Sequence, residues 1–284
     1  MKDSEIFIIG ANGQLGTALK NRYPGAKNVD IDELDITDAQ SVADFDWSRI
    51  KIVLNAAAYT NVDGAETPEG RIAAWKVNSQ AVGYLAKAAL KHNLLVVHIS
   101  TDYVFDGTKE LHNENESFSP INVYGQSKAA GDLVIGFLPK HYILRTSWVI
   151  GEGKNFVRTM LDLGKKDINP EVVSDQIGRL TFTSTLVDAV DLLITSNSEF
   201  GTYNVSNDGE LSSWANITRE IFKLAEFNNT VKDVSTSEYY MGKIGIAPRP
   251  MHSGLDLSKI KSAGFTPKDW KIDLTNYVKK ELAQ

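Results

Sequence analysis

"IFIIGANGQLG", residues 6–16, is the segment that says most about the architecture of this chain. Four apolar residues precede a turn with glycines at 10, 13 and 16, and a helical pattern follows. The apolar run predicts a buried parallel strand, and the glycines let backbone N–H groups approach a pyrophosphate at the next helix N-terminus. The first glycine interval is one residue longer than in G-x-G-x-x-G, so a glycine-rich turn without a ligand stays an alternative.

The same strand-to-helix pattern recurs through the first half of the chain. Short apolar runs predict buried strands at 51–58, 94–100 and 142–150. Helical patterns separate them at 14–22, 69–93 and 128–138. Alternating strands and helices predict the α/β class, here a Rossmann-like doubly wound parallel sheet covered on both faces.

Acidic residues after the second predicted strand, 27–31, indicate a dinucleotide cofactor. Asp30 lies where a carboxylate can bind the adenosine ribose hydroxyls, although Asp32 is a rival and a solvated loop charge is an alternative. Asp30 would repel a 2′-phosphate, which slightly favours NADH over NADPH. Asp35 can reach the adenine amino group, and the small residues at 55–59 let the dinucleotide lie close to the sheet edge.

The second half of the chain has a looser pattern. We assign 1–150 to an NAD(P)-binding Rossmann domain and 151–284 mainly to a smaller C-terminal α/β lobe that binds substrate. The helix near 181–197, with Thr183 or Ser184 as its predicted N-cap, is expected to pack with the first domain. Residues 201–206 predict a short strand, and 212–225 predict a helix that begins at a serine cap.

The composition excludes several classes of protein. The 284 residues are 42% hydrophobic and 23% charged with a net charge of −6, which argues against a nucleic-acid-binding face. Cysteine is absent, so no disulfide, thiolate metal site or cysteine nucleophile is possible. No apolar run approaches the 18 residues of a membrane span, and the first residues do not resemble a signal peptide. These features predict a cytoplasmic protein.

Polar residues at the end of the predicted strand 94–100 indicate chemistry. Thr101 and Asp102 follow this strand at the sheet edge where ligands bind, and Tyr124 and Lys128 stand four residues apart on the next helix. Thr101 can hydrogen-bond a carbonyl oxygen, and Tyr124 can supply a proton. A free tyrosine has a pKa near 10, which the Lys128 ammonium is expected to lower. A chance tyrosine–lysine pair on a helix is the alternative.

The order of glycine turn, strand-end hydroxyl and Y-x-x-x-K resembles the short-chain dehydrogenases/reductases. The glycine spacing and long C-terminal half resemble the extended branch, which acts on nucleotide sugars. Within it the chain is similar throughout to the dTDP-4-dehydrorhamnose reductases, in blocks that include "NAAAYTNVDGAE" (55–66), "STDYVFDG" (100–107), "PINVYGQSK" (120–128), "LRTSWVIG" (144–151) and "VVSDQIGR" (172–179). The resemblance implies NAD(P)H-dependent reduction of the C4 ketone of dTDP-4-dehydro-L-rhamnose to dTDP-L-rhamnose.

The resemblance also implies roles for individual residues. Tyr124 would donate the proton, Lys128 would tune Tyr124 and hold the nicotinamide ribose, and Thr101 would bind the keto oxygen. Together with the motif reading, it implies a cofactor site formed by Gly10, Asn12, Gly13, Gln14, Leu15, Gly16, Asp30, Asp35, Ile36, Ala57, Ala58, Tyr59, Tyr124 and Lys128. The implied substrate residues are Thr101, Asp102, Trp148, Gln176 and Arg249, of which Arg249 suits the diphosphate because its guanidinium can bind phosphate oxygens in a fork.

Departures from related families narrow the chemistry. Tyr103 stands where sugar-nucleotide dehydratases carry a glutamate that abstracts a proton, which favours reduction over dehydration. Ala18 stands where some reductases of this family carry a metal-bridging glutamate, so no metal site is predicted. Asn78 matches an asparagine that kinks a helix and completes a proton relay, and a purely structural role is equally compatible with the sequence. His98 is expected to be a hydrogen-bonded core residue.

Two other functions remain open at this level. One is a non-catalytic NAD(P)-binding regulatory subunit of the methionine adenosyltransferase type, and the other is a reductase for a different nucleotide 4-ketosugar. The expected partner is a dTDP-sugar, with neither nucleic acid nor membrane involved. The chain is expected to be a monomer or weak homodimer, and a 3,5-epimerase could supply its substrate. Trp214 is expected in a core, Asp63 on a solvated loop, and Arg145 beside a buried carboxylate.

Overall fold

The computed structural model describes residues 2–196 and 198–283. Most of the strands in these ranges are short. They are β1 (Ile6–Ile9), β2 (Lys27–Val29), β3 (Ile52–Asn55), β4 (Leu95–Thr101), β5 (His141–Thr146), β6 (Val149–Ile150), β7 (Glu171–Val173), β8 (Ile177–Gly178), β9 (Thr181–Phe182), β10 (Gly201–Asn204), β11 (Ser212–Ser213) and β12 (Lys232–Val234).

Helices connect most of these strands. They are α1 (Gln14–Arg22), α2 (Ala39–Asp44), α3 (Pro68–Trp75), α4 (Ala81–His92), α5 (Val123–Gly136), α6 (Phe156–Lys165), α7 (Thr183–Thr195), α8 (Trp214–Leu224), α9 (Thr236–Tyr240), α10 (Ser258–Ser262) and α11 (Trp270–Leu282). A π-helical turn, Lys76–Gln80, joins α3 to α4. No helix among the described residues is long and apolar enough to cross a membrane.

Six parallel strands form the central sheet in the order β2-β1-β3-β4-β5-β10. Alternate residues of β1 point to opposite faces. Ile6 and Ile8 pack in one apolar cluster with α1 and α7, whereas Phe7 and Ile9 pack in another with α2 and α4. Each fully buried side chain of this kind contributes about 1.5–3 kcal/mol. The predicted doubly wound α/β fold is confirmed.

The strand order reverses between β1 and β3, and this reversal places the ligand cleft. The chain crosses from β1 to β2 on one side, then returns to form β3 on the other side of β1. The connections above the carboxyl ends of β1 and β3 therefore separate and leave a crevice. The glycine turn at 10–16 and the residues after β3 and β4 all lie at this edge.

A second apolar cluster lies in the C-terminal half, where Val157 of α6, Ile221 of α8 and Leu274 of α11 pack together. Small two-stranded pairings, β6 with β9, β7 with β12 and β8 with β11, surround it. The chain returns to the central sheet at β10, and α7 packs on α1. Residue 197, included in the predicted helix, lies outside the described residues, and the domain boundary at 150 stays a prediction.

Several predicted boundaries are wrong. The helix predicted over 69–93 is interrupted by the π-helical turn, and the strand predicted over 142–150 breaks before Trp148, whose φ is +48°. Neither Thr183 nor Ser184 is the N-cap of α7, because the helix already begins at Thr183 after Phe182. The predicted serine cap of α8 is confirmed, since Ser213 accepts a hydrogen bond from the backbone of Asn216.

Candidate active site

Two cavities meet above the carboxyl ends of the central strands. One, of about 330 Å³, lies between the glycine turn and the residues after β2 and β3. The other, of about 460 Å³, lies over the ends of β4 and β5 and beneath the C-terminal half. Gly13, Ala56 and Ala58 line both cavities. A single cleft therefore runs from the glycine turn to Tyr124 and Lys128, with room for an extended ligand.

The glycine turn fits closely against the neighbouring backbone at two of its three glycines. Gly10 has φ +77°, and a Cβ there would lie 2.6 Å from the backbone nitrogen of Ala57. A Cβ on Gly16 would lie 2.0 Å from the carbonyl oxygen of Gly10. A Cβ on Gly13 would meet only Gly10 O, at 3.5 Å. Packing therefore requires glycine at positions 10 and 16. At position 13 a Cβ would fit, and the lack of a side chain there keeps the cleft open.

The first turn of α1 presents backbone donors to this opening. Gly13 is the N-cap and supplies no side-chain hydrogen bond, so the N–H groups at the start of α1 lack a capping partner. Gln14 uses its side-chain oxygen to accept from the backbone of Gly151 at 2.8 Å, which ties the turn to the C-terminal half. Leu15 is largely buried and lines the larger cavity. These features fit the pyrophosphate of a dinucleotide.

The smaller cavity is lined by most of the residues predicted at the adenosine end. Asp30 Oδ2 accepts from the backbone of Asn12 at 2.8 Å, so its carboxylate also braces the glycine turn. Asp35 accepts from the backbone and hydroxyl of Thr37, and these bonds lower its pKa. Asp32 is exposed and does not line the cavity. The lining is completed by residues that include Ile36, Ala57, Ala58 and Tyr59.

The π-helical turn holds the segment after β3 in place. Asn78 is 1% exposed and accepts from Tyr59 N at 2.8 Å while donating to Tyr59 O at 3.1 Å. It also donates to the Ser127 hydroxyl on α5 at 3.0 Å. A π-turn is rare and is often found at functional sites. Here the π-turn points the amide of Asn78 inward, and that amide joins the segment after β3 to α5, the helix that carries Tyr124. These bonds support a structural role for Asn78.

Thr101 and Tyr124 meet in the larger cavity. Asn122 caps α5 by accepting from Gly125 N at 2.7 Å, and this starts the helix one residue before Tyr124. Burial raises the pKa of Tyr124, and the Thr101 hydroxyl opposes that rise. The expected net fall in the pKa of Tyr124 is wrong, because burial outweighs the groups that lower it. Tyr124 is held as a neutral phenol, which is the form that donates a proton.

Lys128 lies directly below the cavity. It is 2% exposed, donates to Ile99 O at 2.6 Å and lies 3.4 Å from Nε2 of His98. Burial lowers the pKa of Lys128 to about 8, against the opposing charge of Asp132. His98 is fully buried and faces Asn55 Nδ2 at 3.0 Å through Nδ1, which confirms it as a hydrogen-bonded core residue.

Trp148 forms the wall of the larger cavity on the side of the C-terminal half. Its indole stacks on Trp214 with ring centroids 3.7 Å apart and planes inclined by 20°. A Cβ on Gly178 would lie 2.9 Å from the Trp148 ring, so glycine at that position leaves space for the indole. Trp214 also packs against Phe156 and belongs to the apolar cluster of the C-terminal half, as predicted. The stack offers a flat apolar surface to a ligand.

Asp102 is a buried carboxyl group at the edge of the same cavity. It is 3% exposed; Oδ1 accepts from the Thr101 hydroxyl at 3.1 Å, and Oδ2 has no hydrogen-bond partner among the described residues. Burial raises its pKa to about 7, while Ser253 and Thr101 oppose the rise. The residue lines the larger cavity, but Oδ2 itself is buried.

Replacing Asp102 with asparagine should change how stability depends on pH. The folded-state pKa of about 7 lies above the ordinary value of 3.8, so the native state binds more protons between these values and stability falls as pH rises through them. We expect Asp102→Asn to gain on the parent by on the order of 3–4 kcal/mol from pH 4 to pH 8. Unfolding free energies measured across this range test this; a pH-independent difference would contradict it.

Two predicted substrate residues are held away from the larger cavity. Gln176 is buried and donates to Thr236 at 3.1 Å, and it is not among the residues that line the cavity. Arg249 donates to Asp63 Oδ1 at 2.8 Å and to its neighbour Ala247 O at 3.1 Å. Arg249 is not among the residues that line the cavity, although its charge opposes the raised pKa of Tyr103, which does line it.

Sequence reasoning missed Asp63. It was expected on a solvated loop, but its Oδ1 accepts from both Arg249 and the backbone of Ala247, so the loop after β3 is pinned to the segment carrying Arg249. No local pattern signals this pairing, because the partners are 186 residues apart. Ser253, which acts on the pKa of Asp102, was also missed for this reason.

A parallel sheet with a glycine turn at one end of its cleft and Thr101, Tyr124 and Lys128 at the other defines a dinucleotide-binding protein with space for a second ligand. The chain belongs to the family described as RmlD substrate binding domain, which matches residues 4–283. The resemblance seen in the sequence is thereby confirmed.

Individual relatives agree with this assignment over their full lengths. The chain is 39% identical to the dTDP-4-dehydrorhamnose reductase of Aggregatibacter actinomycetemcomitans, covering 96% of this chain and 98% of that protein. The crystal structure of the Bacillus anthracis dTDP-4-dehydrorhamnose reductase in complex with NADP has a TM-score of 0.89 at 36% identity, covering 99% and 100% of the two chains. The Clostridium acetobutylicum reductase structure has a TM-score of 0.90 at 35% identity, covering 100% of both chains.

Proposed function

We propose that this chain reduces the C4 ketone of dTDP-4-dehydro-L-rhamnose to the alcohol of dTDP-L-rhamnose with NADH or NADPH. The observation that carries the proposal is the convergence of Thr101, Tyr124 and Lys128 in the cavity that continues from the glycine turn. The full-length similarity to enzymes named dTDP-4-dehydrorhamnose reductase supports the substrate. The cofactor supplies a hydride when bound.

The residues of the chain supply the remaining chemistry. The hydroxyl of Thr101 can donate to the keto oxygen once that hydroxyl turns away from Asp102 Oδ1. The neutral phenol of Tyr124 gives the keto oxygen its proton as negative charge develops on it. The Lys128 ammonium stabilises the tyrosinate that remains. It is held beneath the cavity by Ile99 O at 2.6 Å, where it can also reach the nicotinamide ribose.

The substrate is proposed to lie between the two halves of the chain. Trp148, stacked on Trp214, would pack on the sugar ring, and Asp102 would have to expose its buried Oδ2 to accept from a sugar hydroxyl. Arg249 is proposed to bind the diphosphate at the mouth, with Asp63 orienting its guanidinium. Gln176 would have to leave Thr236 to contact the substrate.

Cofactor binding is proposed along the cleft from Asp30 to Lys128. Gly10, Gly13 and Gly16 let the pyrophosphate approach the start of α1. The position of Asp30 on the cavity wall supports binding of a ribose hydroxyl and keeps the slight preference for NADH as a prediction. Parallel kinetics with NADH and NADPH measure that preference.

The decisive assay follows the loss of NADH or NADPH absorbance with enzymatically generated dTDP-4-dehydro-L-rhamnose. We expect stoichiometric oxidation and formation of dTDP-L-rhamnose. Binding of the nucleotide without oxidation by any 4-ketosugar would favour the alternative of a non-catalytic regulatory subunit of the methionine adenosyltransferase type. Faster oxidation with another nucleotide 4-ketosugar would favour the second alternative, a reductase for that sugar.

The setting of the reaction is also proposed. A 3,5-epimerase would have to supply the substrate, and the chain would act as a monomer or weak homodimer in the cytoplasm. The described residues contain no cluster of three or more His, Asp or Glu side chains able to hold a metal ion. Light scattering of the purified protein, with and without Mg²⁺, tests the oligomeric state.

A further inference from the structure

A buried series of charged and polar side chains lies beneath Tyr124. The Lys128 ammonium lies 3.4 Å from His98 Nε2, and that nitrogen lies 4.0 Å from Asp132 Oδ1. The other oxygen of Asp132 accepts from Arg145 Nε at 3.1 Å, which confirms the buried carboxylate partner expected for Arg145. None of these four side chains is more than 4% exposed. Water is therefore excluded from the Lys128 ammonium.

We propose that Asp132, paired with Arg145, is a positioning residue that keeps Lys128 protonated during the reaction. The proposal rests on the reductase function above, since it concerns the charge of Lys128 beside the proton donor. Asp132 follows Lys128 by four residues on α5, so both side chains lie on the same helical face. Without a nearby negative charge, a buried ammonium loses its proton readily.

His98 cannot supply that negative charge. Asn55 Oδ1 accepts from the backbone of Ala57 at 3.2 Å, so its Nδ2 donates to Nδ1 of His98. A neutral His98 ring must then carry its proton on Nε2, which lies 4.0 Å from Asp132 Oδ1 and 3.4 Å from Lys128 Nζ, so the contact with Lys128 is not a hydrogen bond. Burial and the charge of Lys128 lower the pKa of His98 well below its ordinary value, so the ring stays neutral. His98 acts as an uncharged spacer between Lys128 and Asp132.

The other groups around Lys128 leave Asp132 as its source of negative charge. Tyr124 on α5 is neutral because burial raises its pKa. Asp102, which follows β4, raises the pKa of Tyr124 but does not shift that of Lys128. The pKa of Lys128 is raised by Asp132. Burial raises the pKa of Asp132, while the charges of Arg145 and Lys128 both oppose that rise. A neutral Asp132 would leave the buried guanidinium of Arg145 uncompensated, which favours the ionised carboxylate.

The test is the pH dependence of kcat/KM from pH 6 to pH 10, which reports groups of the free enzyme. Activity should fall as pH rises through the Lys128 pKa of about 8, because the ammonium is the active form. In Asp132→Asn this alkaline limb should move down by about one pH unit, because Lys128 loses the negative charge that attracts its proton. In Arg145→Met the limb should move up, because Lys128 loses a neighbouring like charge while its own charge still favours the ionised form of Asp132.

Opposite shifts separate a charge effect from general loosening, which would move both variants the same way. Asp191→Asn is the matched control, because Asp191 pairs with Arg22 at 2.6 Å far from the site and should leave the limb unchanged. An unchanged limb in Asp132→Asn, or shifts of the same sign in both variants, would overturn the proposal. If Asp132→Asn does not fold, the upward shift in Arg145→Met still decides the question.

A second measurement does not depend on turnover. NMR of protein labelled with [ε-¹³C]lysine follows the titration of Lys128, with the signal assigned by its loss in Lys128→Met. The titration should move down in Asp132→Asn and up in Arg145→Met. If these shifts occur but no 4-ketosugar is reduced, the proposed function fails and the electrostatic inference stands. Turnover with an unmoved titration overturns the inference alone.

Discussion

Replacement of Tyr124 by phenylalanine is expected to lower kcat by about 10²–10⁴-fold, the range that a positioned general acid contributes. The phenyl ring keeps the edge-on contact with Tyr103, whose ring centroid lies 5.7 Å away, so the cavity should keep its shape. Only the proton donor is lost. Stopped-flow turnover and fluorescence titration with NADPH measure the two quantities separately, and the affinity for NADPH should be unchanged.

Tyr203→Phe is the matched control for this variant. Tyr203 is a buried tyrosine of β10 whose hydroxyl donates to Glu199 O at 2.7 Å, outside the cleft. Its loss should cost about 1 kcal/mol of stability and leave kcat unaltered. Turnover of Tyr124→Phe equal to that of Tyr203→Phe would remove Tyr124 from the mechanism.

Alanine at Gly16 is expected to have the largest effect on stability and cofactor binding together. The new Cβ would lie 2.0 Å from Gly10 O and 2.8 Å from the backbone of Ala11, so the turn must shift against α1. Overpacking against backbone costs about 1–3 kcal/mol or more. Thermal unfolding should show the loss without ligand, and NADPH titration should show weak or no binding.

Alanine at Gly13 should separate these two effects. Its Cβ would meet protein only at Gly10 O, 3.5 Å away, so the fold bears mainly an N-cap cost of about 0.5–1 kcal/mol. The same Cβ would project into the cleft at the proposed pyrophosphate position, and a tenfold or greater loss of NADPH affinity, about 1.4 kcal/mol, is expected. The distinction between the two sites would be refuted if Gly13→Ala lost as much stability and as much NADPH affinity as Gly16→Ala.

The central sheet and the position of the cleft could be read from local sequence. Burial on both faces of a parallel sheet requires short continuous apolar runs, and Ile6–Ile9 shows this signal without reference to any distant residue. The glycine turn has the same local character, because the close approach of Gly10 and Gly16 arises within one strand-to-helix connection. Thr101 and Tyr124 could be assigned to the cleft because the carboxyl ends of parallel strands meet at one edge of the sheet.

The errors concern properties that depend on surroundings. The pKa of Tyr124 was expected to fall because Lys128 is close in sequence, but burial raises it. The helix irregularity at 76–80 was indicated only by the resemblance, through Asn78, because the sequence there suits an ordinary helix and the bonds of Asn78 to Tyr59 and Ser127 are tertiary. At the break before Trp148, the indole stacks on Trp214 from a distant helix, a contact that no local pattern displays.

Hydrophobic periodicity and glycine spacing were therefore enough to predict the fold, the cofactor-binding turn and the order of the reactive residues along the chain. They act through contacts between residues that are near in sequence, so one strand or turn displays them completely. The charge state of those residues is different, because desolvation and Coulomb interactions depend on every element packed around a group. Lys128 shows this most clearly. Its spacing from Tyr124 is visible in residues 124–128, but the proposed control of its proton needs Asp132 together with Arg145 from β5.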